Sequence, residues 1–357
     1  MTSIVFCKAK LQLFQLFRLI YFMRYFLFLS ICLISQTANI CAQIREKQQG
    51  PDSLYVKSYR YLLNISTGLQ TNNAEFIVAY PKDKLRIELS PRETLQQFLL
   101  FQYKWINFRY SFTPAYLNPD RSALTGNNKR SSFEMFMSVK DVDISFSHQQ
   151  AKGYYIKNTG DLISSWKPGD PYLQLPQLGT KTTSVEFAYN MDKKFSDVGM
   201  LSGKSKQLKN AWSFLPVLGI SHTHFYDPTI QALAGQHSED YNLDVNLKLP
   251  LCASIVWAND WSVAGTAGPV IGINFFKTDT YDQVLNKIQN KETRLSTGYW
   301  VQGGISYTRD RWYTGLNAYT YKYGSGSAES RTSRFLYGAE FYIGTRFHAP
   351  SFLKKLL

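Results

Sequence analysis

The sequence predicts an all-β protein, an antiparallel transmembrane β-barrel of about twelve strands that follows a cleaved signal peptide. Three observations support this prediction. An apolar leader begins the chain, apolar and polar residues alternate in most later segments, and the connections between these segments alternate between short and long. A water-soluble β-sandwich is the alternative, and it would share the alternation of residues. It would need neither the leader nor the alternating connections.

The leader has the layout of a secretory signal peptide. Residues 24–42 begin with a basic residue, continue as an apolar run and end in Ala42, so we expect cleavage between Ala42 and Gln43. Met23 is an alternative start of translation. A retained inner-membrane anchor and a lipid-modified Cys41 are the competing interpretations. The leader holds three of the four cysteines, which leaves Cys252 in the exported chain and no intrachain disulfide.

The rest of the chain shows one continuous β-rich pattern. We expect a leader at 1–42, an N-terminal periplasmic segment at 43–74, the barrel at 75–348 and a short tail at 349–357. The 357 residues include 24 Tyr and 24 Phe, which suit strands and the aromatic girdles at membrane interfaces. The net charge is +14, but Lys and Arg are scattered rather than grouped on one face. This argues against nucleic-acid binding and favours anionic lipid as a neighbour.

Alternation is clearest at residues 241–258. Every second residue from Tyr241 to Trp257 is apolar, and most residues between them are polar or small. Aromatic residues end the apolar face on both sides, as expected at the two membrane interfaces. The same pattern recurs at 335–347 in the last strand. We therefore expect one face of each strand to contact lipid and the other to line the interior.

The connections indicate which end of the barrel is which, because outer-membrane barrels have short periplasmic turns and longer external loops. Tight turns are expected at 103–105, 140–141, 259–260 and 309–311, and long connections at about 116–131, 158–181, 225–240, 278–295 and 324–334. To place every tight turn at the periplasmic end, the first strand must lie at about 75–90. The long, basic connection at 194–210 breaks the rule. Ten or fourteen strands remain open, particularly if residues 54–70 add one.

The interior is expected to carry charge. The charged residues predicted to face the lumen are Arg86, Glu88, Arg109, Asp143, Asp244, Lys248, Glu340 and Arg346. Closing the barrel makes the first and last strands neighbours. With Leu85, Ile87 and Leu89 facing lipid, Arg86 and Glu88 would then meet Glu340 and Arg346 across the seam, unless all four are solvated in a wet channel.

The most enzyme-like segment is residues 219–224. Ser221 and His222 are neighbours on a strand, so their side chains point to opposite faces and cannot form a nucleophile and base. His222 and His224 share a face and, with Asp227, are weak candidates for a metal site. We favour interface residues over metal ligands, and we expect no cofactor and no enzymatic activity.

Several segments carry a family resemblance. These are Tyr103-Lys104-Trp105, Gly153-Tyr154-Tyr155-Ile156, the stretch from Asn190 to Ser196 that ends in Lys194-Phe195-Ser196, and the closing Gly344-Thr345-Arg346-Phe347 with Ala349-Pro350. Together they make residues 55–350 resemble the Bacteroidetes-type outer-membrane family of the domain of unknown function DUF4421. Similar members carry a Ser-Ala-Gly-Ser type segment where this chain has Asn210-Ala211-Trp212-Ser213. The resemblance implies an outer-membrane barrel, no established activity and no catalytic residues.

The sequence favours a porin-like transport or binding role, or a structural role in the envelope. An outer-membrane hydrolase acting on lipid or lipopolysaccharide and an adhesion or scaffold barrel are the alternatives. The expected partners are outer-membrane lipid, lipopolysaccharide and, during biogenesis, the barrel-assembly machinery. A small-molecule ligand is not specified.

Overall fold

A computed structural model describes residues 52–118, 122–127, 129–139, 141–196, 203–227, 237–281, 287–326 and 330–356. The predicted signal peptide and its expected cleavage site at Ala42 and Gln43 lie outside these ranges. The strands are β1 Val56–Ser58, β2 Leu62–Tyr80, β3 Leu85–Pro91, β4 Leu95–Tyr103, β5 Ile106–Phe112, β6 Lys129–Val139, β7 Val142–Ile156, β8 Leu173–Tyr189, β9 Ser205–Gln207, β10 Ala211–Phe214, β11 Val217–Tyr226, β12 His237–Lys248, β13 Leu251–Ala258, β14 Trp261–Tyr281, β15 Lys287–Thr308, β16 Trp312–Gly326 and β17 Arg331–His348. A 3-10 turn at Ala115–Leu117 and the short helices Ser122–Thr125, Thr159–Leu162 and Ser351–Leu356 complete the described elements. None of the described helices is long and apolar enough to cross a membrane.

Twelve strands form a closed antiparallel ring in the order β2, β4, β5, β6, β7, β8, β11, β12, β14, β15, β16 and β17. The ring closes where β17 pairs with β2, from Arg331 opposite Ala79 to His348 opposite Leu62. Closure satisfies the backbone groups that an open sheet would leave at its edges, and a lipid environment requires this. The predicted fold, an antiparallel barrel of twelve strands, is confirmed.

Two prolines divide strands that are continuous in space. The registers of β11 on β12 and of β10 on β13 are the same across Pro216 and Pro250. A proline has no N–H to donate to the ladder, so the pairing is interrupted there. The segments 211–226 and 237–258 therefore each cross the membrane once as a single strand of the barrel. The strand that the sequence indicated at 241–258 belongs to the second segment.

The outward and inward faces follow the predicted alternation through the membrane band. Along β13, Leu251 and Ile255 are more than half exposed, whereas Cys252 and Ser254 are buried. The turns at 103–105, 259–260 and 309–311 and the end of β6 at Val139 all lie at one end, which we call the periplasmic end. Residue 140 of the predicted turn at 140–141 lies outside the described residues. Four aromatic rings follow one another around the wall at this end, with centroid separations of 6.2, 5.0 and 4.9 Å along Trp257, Trp261, Tyr307 and Trp312. They correspond to one interfacial girdle.

The first barrel strand differs from the prediction. It is β2, which begins at Leu62 rather than near residue 75, so the expected boundary between periplasmic segment and barrel is wrong. Of residues 54–70, those from Leu62 onward belong to this strand, so they do not add a further strand to the barrel. The end of β2 pairs with β3, and its earlier part pairs with β4 on the same edge. Residues 75–90, which the sequence assigned to one strand, therefore form the end of β2, a turn and most of β3.

The ring is narrower at its extracellular end. There β3 pairs with β7 through Leu89, Ser90 and Pro91, above the level at which β5 and β6 stop. At this level β3 pairs directly with β7, and the hairpin β5–β6 is no longer part of the ring. The predicted long connection at 278–295 is also wrong, because β14 and β15 remain paired as far as Tyr281 opposite Lys287. These two strands continue beyond the apolar band, and their tip at 282–286 lies outside the described residues.

Candidate functional site: the filled interior

The interior of the barrel is polar and filled with side chains. Buried inward-facing polar residues occur at every level, namely Asn64, Ser66, Gln70, Gln96, Asn107, Ser111, Thr180, Thr182, Thr223, Asp244, Asn246, Asn274, Ser296, Ser306 and Asn317. Two small cavities inside each have room for about one water-sized species. In an open aqueous channel these side chains would be exposed to water. The described part of the lumen is therefore closed.

The middle layer is built around an ion pair between β5 and β17, which are separated in the ring by β4 and β2. Arg109 of β5 donates to the Glu340 carboxylate of β17 at 2.5 Å and also to Gln70 of β2. Its guanidinium lies 3.8 Å from the ring centroid of Phe98. A second pair joins Lys248 of β12 to Glu186 of β8, with Nζ and Oε1 2.6 Å apart. Both pairs neutralise charge that the alternation of the strands turns inward.

The extracellular layer is a hydrogen-bonded network. Asp244 of β12 accepts from Asn274 at 2.7 Å and from the Tyr323 hydroxyl at 3.1 Å. Arg334 of β17 reaches across the lumen to the hydroxyls of Thr223 and Thr182, at 3.2 and 3.4 Å. Six strands are thus connected through side chains at this level, which stiffens the wall as well as filling the lumen.

A plug fills the periplasmic end. It consists of β1, β9 and the described residues 190–196 and 203–210, which include most of the long, basic connection that broke the predicted alternation of short and long connections. Phe195 of the plug is buried against the inward residues Leu215, Val217 and Cys252. Gly203 has a φ of +65°, and a Cβ there would overlap the ring of Tyr313 in the wall. The plug is therefore fitted closely to the barrel.

Charged side chains fasten the plug to the rim. Lys206 of β9 contacts Asp260 at 2.7 Å, and Lys57 of β1 contacts Asp310 at 2.7 Å. Hydrogen bonds from Lys206 and Arg309 lower the pKa of Asp260, and those from Lys57 and Tyr59 lower the pKa of Asp310. Burial, together with the hydrogen bond to Asp310, raises the pKa of Tyr59 to about 12. Both carboxylates of the rim are thus held ionised.

Arg346 connects the plug to the last strand of the barrel. Its guanidinium lies 3.8 Å from the ring centroid of Tyr59 in the plug and 4.5 Å from that of Tyr313 in the wall. It donates to the backbone carbonyl of Gly203 and to the side chain of Asn64. This buried charge is solvated by carbonyl groups and aromatic faces.

Most residues predicted to face the lumen lie on the inner wall. Glu340, Arg109, Asp244, Lys248 and Arg346 take part in the contacts above. Asp143 of β7 lies opposite Ala188 of β8 near the plug.

The assignment of Arg86 and Glu88 to the lumen is wrong. They pair with each other at 2.7 Å on the outer face of β3, while Leu89 packs inward on the cluster of Phe76 and Tyr154. Since β3 lies beyond the apolar band, water and not lipid surrounds it, and the polar face turns outward. The predicted seam contact of Arg86 or Arg346 with Glu340 is not formed, because Glu340 faces Arg109.

The proposed metal candidates do not come together. His222 and His224 lie on the outer wall, where His224 stacks on Tyr241 with centroids 4.4 Å apart. The described residues contain no group of three His, Cys, Asp or Glu that could hold a metal ion, and Asp227 joins none. Ser221 is paired with Asp244 and Ser184 on inward positions, so it does face away from His222.

Sequence reasoning missed several inward charged residues, among them Arg130, Glu134, Glu186, Arg294 and Arg334. The predicted alternating pattern of the last strand begins at Phe335, and Arg334 directly precedes it. Extending the alternation by one position would have placed Arg334 inside. Glu134 lies between the outward Phe133 and Met135 and carries the same signal.

Comparison with known proteins gives a family and distant structural similarities. A family model described as "Domain of unknown function (DUF4421)" matches residues 50–347. No curated protein is significantly similar to the sequence.

Three solved structures are similar in outline. The outer-membrane protease OmpT of Escherichia coli has 8% identity and a TM-score of 0.40, with 82% of this chain and 98% of that chain covered. The toluene transporter TodX of P. putida has 9% identity and a TM-score of 0.28, covering 81% and 91%. The translocator domain of the autotransporter NalP of Neisseria meningitidis has 8% identity and a TM-score of 0.27, covering 88% and 97%. At such scores no activity transfers from any of them, and the fold rests on the closed ring itself.

Proposed function

Because the chain belongs to the DUF4421 family, a family defined by a domain of unknown function, we propose its function from the barrel itself: a closed outer-membrane barrel with a structural role in the cell envelope. The observation that carries this proposal is the filled interior. Buried side chains occupy the lumen at each level, and the plug occupies the periplasmic end. A passive porin would need a continuous aqueous path, and this path is blocked in the described residues.

Gated passage is the second candidate, and the way the plug is held favours it. Apart from its chain connections to β2, β8 and β10, the plug is attached to the rim by side-chain contacts at Asp260 and Asp310. Such contacts can be broken and remade. Passage of a small solute would then require the plug to leave the barrel.

Conductance in planar lipid bilayers separates the two candidates. We expect the full-length protein to give no steady channel. The variant Asp260→Asn/Asp310→Asn should also stay closed if the barrel is structural, because the layers at Arg109 and Arg334 block the lumen above the plug. Asp83→Asn, which removes a carboxylate at the other end of the barrel, is the control. Steady conductance of the unmodified protein would contradict a structural role, and conductance of the double variant alone would support gated passage.

We further propose that the outer wall contacts phosphorylated lipid in the external leaflet. Lys181, His224, Tyr241, Lys277 and Lys291 lie side by side on outward positions of five neighbouring strands, and we call them the outer basic row. The apolar wall below this row, from Val263 to Phe275 on β14, covers roughly 30 Å at the usual rise and tilt of membrane strands. The row therefore lies at the height of lipid headgroups, where lysine side chains complement phosphate.

A further inference from the structure

The extracellular half of the lumen contains a cavity that is lined by two arginines. Arg130 of β6 and Arg334 of β17 face this cavity, together with the hydroxyls of Thr180, Thr182 and Tyr154. All three hydroxyl-bearing residues and Arg130 are buried. The space holds about one water-sized species. Two positive charges and several hydroxyl groups therefore surround a site of atomic dimensions.

Neither guanidinium has a carboxylate partner among the described residues. Arg130 donates to the amide oxygen of Asn72 at 3.1 Å, and Arg334 donates to hydroxyl groups at 3.2 to 3.4 Å, at the long end of the hydrogen-bond range. The Nε group of Arg334 is buried without a partner.

The nearby carboxylates of the interior are engaged elsewhere. Glu340 pairs with Arg109, which also attracts the inward Glu134, and Glu186 pairs with Lys248. Asp244 accepts hydrogen bonds from Asn274 and from Tyr323, which stands between it and Arg334. The two arginines are thus close in space and uncompensated by direct pairing.

We propose that this cavity is a binding site for a small monovalent anion, chloride being the abundant candidate. Buried cations are costly unless they are paired, and two like charges beside one cavity increase that cost. A monatomic anion would neutralise both guanidiniums at once, accept from the free Nε of Arg334 and from nearby hydroxyls, and fit a space that excludes larger anions. Anion binding of this kind stabilises the folded barrel by mass action.

The test compares anions of different size at constant ionic strength. Purified protein folded in detergent is heated in sodium chloride and in sodium gluconate at the same pH, and the unfolding midpoint is measured. Gluconate is too large for the cavity, so we expect the midpoint to be several degrees higher in chloride. Arg130→Gln and Arg334→Gln should lose this difference. Lys322→Gln, which removes an exposed cation from the outer wall, should keep it. Equal midpoints in the two salts, or a difference that persists in both arginine variants, would overturn the proposal.

Crystals of the unmodified protein soaked in sodium bromide give a second readout that needs no variant to fold. We expect an anomalous-scattering peak between Arg130 and Arg334. A bromide-soaked crystal with no peak in this cavity would overturn the proposal even if the thermal data agreed.

Discussion

Arg109 shows how a single charged residue is accommodated inside this barrel. Its side chain has three kinds of partner at once: the carboxylate of Glu340, the amide of Gln70 and the face of Phe98. Both members of the ion pair have less than a sixth of their side chains exposed. A buried charge of this kind is stabilised by all of its partners together. Removing one member of the ion pair leaves the charge of the other member buried and unpaired.

Glu340→Gln should therefore destabilise the protein by about 3 to 5 kcal/mol, the cost of an uncompensated buried charge. Urea unfolding of the reconstituted protein measures this loss as a change in the free energy of unfolding. Glu292→Gln is a matched control, because Glu292 also pairs with an arginine but its side chain is half exposed. The control should cost about 0 to 1 kcal/mol. Combined with Arg109→Gln, the loss should be clearly smaller than the sum of the single losses, and strict additivity would show that the pair does not contribute as a unit.

The plug is the element with the most titratable attachments. Asp260 and Asp310 both lie in periplasmic turns, outside the membrane band, and neighbouring cations lower the pKa of each. A carboxylate whose pKa is lower in the attached state favours attachment at pH values above its free value of about 3.9. This contribution is lost as the pH falls through the lowered values.

We expect hydrogen exchange of the plug, β1 and residues 203–207, to become faster relative to the barrel wall between pH 6 and pH 3, after correction for the intrinsic rate. Exchange mass spectrometry on the folded protein measures this. In Asp260→Asn/Asp310→Asn the plug should exchange faster at pH 6 and change little on acidification. The same pH response in the double variant and the parent would indicate that other groups hold the plug.

The outer basic row is a second element with a testable contact. Lys181 lies 5.0 Å from the ring centroid of Tyr226 and Lys277 lies 4.8 Å from that of Tyr241, so both ammonium groups are held at the wall. Lys181→Gln/Lys277→Gln/Lys291→Gln should lower the amount of phosphorylated lipid that co-purifies with the protein, as determined by mass spectrometry. Lys82→Gln/Lys84→Gln/Lys104→Gln removes the same charge from turns at the two ends and should retain the lipid. Equal lipid content in both triple variants would argue against a specific contact.

At the scale of the whole molecule, closure is the dominant source of stability. The seam of β17 with β2 extends over the full length of both strands, so the ring presents no free edge in the membrane band. Detergent has no edge from which to separate the strands. We expect the folded protein to migrate faster on unheated than on boiled denaturing gels, and identical migration would contradict a closed barrel.

The sequence alone predicted the fold, a count of about twelve strands, the tight turns and the lipid-facing residues of strands such as 241–258. It could do so because a membrane strand must pair its whole backbone and alternate its side chains with a period of two, and both constraints are local. The tertiary structure decided which inward residues meet. Arg109 and Glu340 are 231 residues apart, and their contact depends on strand tilt and stagger around the ring, which alternation does not specify. It also decided the orientation of Arg86 and Glu88, because only the three-dimensional structure shows that β3 lies above the lipid. It further showed that residues 190–196 and 203–210 enter the barrel as part of a plug.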